Sequence, residues 1–183
     1  MSDEEKPAVR WLPFQLNPDL PDEGILRQEY LDRKFGPGHA HSYARVAGVG
    51  REVGIDFAFD RIRVQPNTLN AHRLMLYGAK QGREDAVAEQ LFRAYFLEGV
   101  DLTDRAALTR VGEQAGLDRA ALAAYLASDD GRDDVLRADR EARQAGINGV
   151  PYFIFNRRTA VSGAQVPETL LQAMVDARSR EEA

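Results

Sequence analysis

The sequence predicts an α/β fold whose single core is split by a large all-helical insertion, and three observations predict it. The 183 residues are 44% hydrophobic, enough for one good core. Both ends carry extended patterns, Ala8 to Phe14 near the start and a hairpin-like stretch from Gly146 to Gln165. Roughly six helical patterns lie between them. Two β-rich ends must meet to pair, so residues 1–24 and 146–183 form one discontinuous core and 25–145 the insertion.

Ala8 to Phe14 alternates apolar and polar residues around Val9, Trp11 and Pro13, which predicts a strand. Gln15 to Gly24 holds two Pro, two Asp and an Asn, a turn-rich connection that ends it. Ile25 to Phe35 places Ile25, Leu26, Tyr30, Leu31 and Phe35 near one helical face, and the Gly-Pro-Gly that follows breaks it. A second helix runs from about His39 to Val53. An extended segment from Ile55 to Val64 comes next, with Ile55, Phe57 and Phe59 alternating.

Pro66-Asn67-Thr68 is a helix start with Asn67 or Thr68 as N-cap, and Gly82 closes that helix. Val87, Leu91, Phe92, Tyr95 and Phe96 recur at helical spacing between Arg83 and Gly99. A further helical segment, Leu102 to Gly116, opens on Asp101 and Asp104. Two more, Asp118 to Ala127 and Asp134 to Ala145, begin with acidic residues that suit the positive end of a helix dipole.

The Gly146 to Gln165 stretch has a Gly-flanked Val-Pro step, the run Tyr152 to Phe155, a basic turn at Asn156-Arg157-Arg158, and a second short apolar run. Ser162-Gly163-Ala164-Gln165 then leads into a last helix with Pro167 and Glu168 in its first turn. This reads as a β-hairpin with a special proline at its mouth.

Net charge is −5, from 24 basic and 29 acidic side chains interspersed along the chain. No positive face for nucleic acid or anionic membrane results. The N-terminus is acidic and lacks an apolar signal region, and no apolar run approaches the roughly 18 residues that span a bilayer, so a cytoplasmic location is expected. The cysteine count is zero, which removes disulfides, thiolate nucleophiles, Cys-ligated zinc and any dithiol cycle.

Five ordered motifs carry a family resemblance: Val9 to Pro18, Pro66-Asn67-Thr68 with Ala71-His72-Arg73-Leu74, Phe92 to Phe96, Gly149-Val150-Pro151, and Ser162 to Gln165. Over about residues 9 to 174 the chain resembles the FrnE-like branch of the DsbA family. That resemblance implies a thioredoxin-like fold interrupted by a helical domain that covers the active site. Relatives of the branch include disulfide oxidoreductases, kappa-class glutathione transferases and 2-hydroxychromene-2-carboxylate isomerases, so it implies a thiol- or glutathione-handling ancestry without choosing the reaction.

The departure is at the start. Family members begin with a strand and then a C-x-x-C, or a Ser in the isomerase-like branch, at the head of a helix, and this chain starts at the strand that follows. Thiol-disulfide exchange needs a thiolate at a helix N-terminus. The chain itself is therefore expected to be redox-inactive, with no catalytic residue of its own. Three explanations stand open: a start codon assigned too far downstream, a true truncation in which the flanking strands pair directly, and strand exchange between subunits. An unpaired sheet position would recruit a second copy as a homodimer.

Val150 and Pro151 resemble the family's cis-proline step, whose turn leaves the Val150 backbone N–H and C=O facing the site for an extended peptide; a trans proline opening an edge strand is the plainer reading. Ser162 and Gln165 precede the last helix, where free N–H groups suit a carboxylate such as that of glutathione, or form a simple cap. Glutathione-using relatives tend to carry an acid where Gln165 stands. Asn17 resembles a site-facing loop residue and is equally a turn former. His72 looks toward the site from the helical lid, or packs and caps there. His39 and His41 lack a third ligand nearby, and Asp129 to Asp134 lacks the twelfth-position Glu of a calcium loop, so no metal is expected.

Three functions follow. The first is a DsbA-like oxidoreductase homologue without its catalytic segment, the second a glutathione-dependent isomerase or transferase, and the third a non-catalytic protein that binds an extended peptide or a small thiol. No cofactor is expected unless glutathione serves.

Overall fold

The structure, a computed structural model, describes residues 7–36 and 43–179. His39 and His41 lie outside them. The chain separates into two compact units, one running to Leu136 and the other starting at Arg137.

The first unit is built from β1 (Ile25–Leu26), α1 (Arg27–Phe35), α2 (Ala44–Glu52), β2 (Val64–Gln65), α3 (Leu69–Lys80), α4 (Glu84–Phe92), α5 (Arg105–Gln114) and α6 (Arg119–Ala127). Its core lies where α3, α4, α5 and α6 pack together, around Leu74, Val87, Leu108, Leu122 and Leu126, all fully buried. Each such side chain stabilises the fold by about 1.5–3 kcal/mol relative to exposure.

The helix boundaries obey local rules. Asp104 and Asp118 cap α5 and α6 by accepting from Ala106 N (2.8 Å) and Ala121 N (2.7 Å). Asn67 Oδ1 accepts from Leu69 N at 2.9 Å, while Thr68 holds the N-cap position of α3 without a side-chain cap bond. Gly82, Gly99 and Gly116 follow helical turns with positive φ, and Gly131, also at positive φ, directly precedes α7. Between α4 and Gly99, Arg93–Leu97 forms one π-helical turn.

Three expectations are corrected. Ala8 to Phe14 forms no strand among the described residues. Its alternation is there, but a strand needs a partner for its backbone, and this segment is held by side chains instead. Trp11 N donates to Glu84 Oε1 (2.9 Å), Trp11 Nε1 donates to Asp85 Oδ1 (2.8 Å), and the indole lies 5.8 Å from the Phe92 ring. The helix expected from Ile25 begins at Arg27, because Ile25 and Leu26 pair antiparallel with Gln65 and Val64. Ile55 to Val64 is extended only at its end, with Phe59–Arg61 making a 3-10 turn among stacked aromatic rings.

The second unit carries most of α7 (Arg132–Gln144), then β3 (Tyr152–Phe155), β4 (Thr159–Ser162) and α8 (Pro167–Ser179). β3 and β4 form the expected hairpin, with Tyr152 opposite Ser162 and Phe155 opposite Thr159. Asn156 (φ 49°) and Arg157 (φ 57°) occupy the left-handed region that its tight turn requires. α8 packs on the hairpin and buries Ala173 and Ala177. Among the described residues no helix is long and apolar enough to cross a membrane.

Candidate functional site

The Val150–Pro151 peptide bond is cis. Pro151 O accepts from Gly163 N at 2.9 Å, which extends the β3–β4 ladder by one pair beyond Tyr152 and Ser162. Bonded and non-bonded pairs alternate along an antiparallel ladder. Pro151, Phe153 and Phe155 therefore turn their backbone groups toward β4, and Tyr152 and Ile154 turn theirs to the opposite edge, with Val150 just before it across the cis bond. No described residue pairs with that edge. Val150 is 49% exposed and Ile154 47%, so the edge is bare and flanked by apolar side chains.

Ser162 and Gln165 stand at the far side of the same hairpin. Gln165 Nε2 donates to Ser162 O at 3.0 Å, closing the turn into α8, and both residues are exposed. One N–H of the Gln165 amide is thus engaged within its own loop. A cleft of about 430 Å³ lies between β4 and α8, lined by Thr159, Val161, Glu168, Thr169, Gln172 and Asp176 among others.

Asn17 and His72 belong to the first unit. Asn17 O accepts from Leu20 N at 3.4 Å in a turn. His72 lies on α3, with Nε2 3.1 Å from Phe14 O, and so ties the N-terminal segment to that helix. Beside it Arg73 is buried and donates to the carbonyls of Tyr125 (2.8 Å), Ser128 (2.7 Å) and Asp130 (2.9 Å). Burial raises the Tyr125 phenol above its ordinary pKa, against the opposing pull of Arg73.

Sequence reasoning missed one concentration of chemistry in this unit. Arg27, Tyr30 and Lys34 share a face of α1, and the Tyr43 ring packs on the Arg27 guanidinium at 4.9 Å. Burial pushes the Tyr95 phenol from 10.0 up to about 12, with Arg27 pulling the other way. The i, i+3, i+7 spacing of Arg27, Tyr30 and Lys34 was a readable signal, but the partners on other elements were not.

A helix-interrupted thioredoxin-type fold with a Val-Pro step at the mouth of its hairpin defines the class, and the chain belongs to the DSBA-like thioredoxin domain family, which it matches over residues 2–175. Among solved structures it is similar to a probable DsbA oxidoreductase, SCO1869, from Streptomyces coelicolor. The two share 28% identity with a TM-score of 0.82, covering 91% of this chain and 73% of that one. It is also similar to the uncharacterized protein YwbO of Bacillus subtilis (strain 168), at 24% identity over 174 residues, covering 94% of this chain and 83% of that protein. With no cysteine in its 183 residues, the chain has no C-x-x-C.

Proposed function

We propose that this chain is a DsbA-like family member that performs no thiol-disulfide exchange by itself and instead holds the backbone of an extended peptide, or a small thiol such as glutathione, against Val150. The observation that carries this reading is the Val150 backbone. Its N–H and C=O have no partner among the described residues, at the solvent-exposed end of a strand edge fixed by the Pro151–Gly163 bond. An extended segment adds to such an edge through main-chain hydrogen bonds. Exchange chemistry requires a thiolate, and the chain offers none.

Two measurements test the two halves. In an insulin-reduction assay the chain should not accelerate precipitation over dithiothreitol alone, and acceleration would overturn the redox half. In amide NMR an extended peptide should move the resonances of Val150, Tyr152 and Ile154. Unmoved resonances at millimolar peptide remove the groove. Glutathione titration followed by Trp11 fluorescence addresses the transferase or isomerase reading, against which the engaged Gln165 amide counts. A second copy is the alternative occupant of the bare β3 edge, and a monodisperse monomer on sedimentation counts against it.

A further inference from the structure

The unit that starts at Arg137 holds almost no core of its own. Among its described residues the buried apolar side chains are Ala173 and Ala177, each a single methyl group, while Val150, Ile154, Val166, Leu171 and Val175 are all at least 40% exposed. Its sheet is one hairpin of two four-residue strands. A two-stranded hairpin is marginal in water unless a third strand or a well-packed helix buries its apolar face, and two alanines of α8 fall short of that.

Residues directly opposite each other in an antiparallel pair share a face. Thr159 and Val161 line the cleft under α8, so their partners Phe155 and Phe153 lie on the helix side of the sheet. Tyr152 and Ile154, opposite Ser162 and Ala160, lie on the other side, where Ile154, Ala160 and Ser162 are exposed. The free edge of β3 thus has apolar side chains on both faces and the backbone groups of Tyr152 and Ile154 along it. What covers such an edge is itself extended, since a strand presents N–H and C=O at the matching two-residue repeat. It is also apolar on both faces, as strands covered on both sides are.

Charge around the edge selects among strands. No Asp or Glu occurs from Ile147 to Pro167, and the turn that ends β3 carries the exposed Arg157 and Arg158, so this stretch is positive in a chain whose net charge is −5. A second copy would bring the same two arginines and no carboxylate to the edge. A different polypeptide with acidic residues at the turn end complements it. We propose that β3 takes one strand of a different protein, an apolar run of about five residues with acidic residues beside Arg157, and that this strand supplies the cover without which the unit from Arg137 is only marginally folded. In this form, which rests on the peptide-binding edge proposed above, the occupant is a structural third strand and its binding is coupled to folding.

Hydrogen exchange of the full chain by amide NMR tests it. The probe is a capped peptide of two glutamates followed by Val-Ile-Val-Tyr-Val, which sets the glutamates at the turn in antiparallel pairing. In the free chain the β3, β4 and α8 amides should exchange about 100-fold or more faster than those of α3 to α6. With peptide about tenfold above its dissociation constant, their protection should rise about tenfold, because binding depletes the open state in that proportion, and α3 to α6 should not change. Replacing both glutamates by lysines, or Arg157→Glu in the chain, should weaken binding about threefold. No shift at Val150, Tyr152 and Ile154 removes the groove and the third strand together. Peptide that binds while the free chain already protects β3, β4 and α8 as fully as α3 to α6 leaves the groove standing and overturns the third-strand role. Protection that rises with protein concentration in the absence of peptide makes the occupant a second copy, and equal binding of the lysine peptide removes the acidic partner; either result overturns the proposal.

Discussion

Replacing Arg73 by Met should cost about 3 kcal/mol of stability, because one side chain closes the end of a helix 50 residues away. Arg73 is 2% exposed. Its Nε reaches Asp130 O, its Nη2 reaches Tyr125 O and Ser128 O, and its Nη1 reaches Asn70 Oδ1 (2.8 Å) and, more weakly, Leu126 O (3.4 Å). The last carbonyls of α6 have no intrahelical partners and carry the negative end of its dipole, so a cation is the suitable cap. Met preserves the apolar stem and removes every donor. Three short bonds to a charged donor contribute about 1.5–3 kcal/mol each, while losing the buried charge recovers several kcal/mol of desolvation, leaving a net loss of about 3 kcal/mol. In urea denaturation followed by far-UV circular dichroism, with a slope of about 2–3 kcal/mol/M, the midpoint should fall by about 1–1.5 M. Arg73→Lys keeps the charge without the planar fork and should fall between. A midpoint shift below about 0.3 M in Arg73→Met at unchanged slope would refute the reasoning.

Three further outcomes are expected. The Tyr95 phenol keeps its proton in the folded state up to about pH 12, whereas the unfolded chain releases it near 10.0, so its contribution is intact below pH 10 and lost as pH rises through 12. That loss is about 2–3 kcal/mol, and denaturation at pH 9.5 and 11.5 should show a smaller decline in Tyr95→Phe than in the parent. Gly99→Ala should destabilise by about 2 kcal/mol or more, since Gly99 has φ of +72° and an added Cβ would sit 2.6–2.7 Å from the Cβ and backbone of Arg61. Asp118→Ala should cost about 1 kcal/mol through loss of the α6 cap, with Asp118→Asn close to neutral, both read as urea midpoints.

Most of the candidate groove was legible and most of its surroundings were not. The Val-Pro step, the hairpin strands and the turn at Asn156 and Arg157 are set by neighbours within a few residues, and the structure has them where the pattern indicated. Gln165 stands where glutathione-using relatives tend to carry an acid and donates an amide N–H to Ser162 O, and His72 contacts Phe14 O, a partner 58 residues away that no spacing rule supplies. The Arg27 cluster went unread because Gln65 and Tyr43 reach it from separate elements.

By itself the sequence determined what short-range chemistry determines. Asp104 and Asp118 start helices because a carboxylate reaches a backbone N–H two or three residues on, glycines stop them because the left-handed turn costs glycine least, and a chain without cysteine has no thiol to exchange. Only the tertiary structure decided the rest. Ala8 to Phe14 has the alternation of a strand, but hydrogen-bonded pairing is a property of two segments, and the nearest acceptors turned out to be Glu84 and Asp85 at the head of α4. The same holds for the two buried arginines: Arg73 meets carbonyls 52 to 57 residues distant, and Arg27 meets the Gln65 amide 38 residues away.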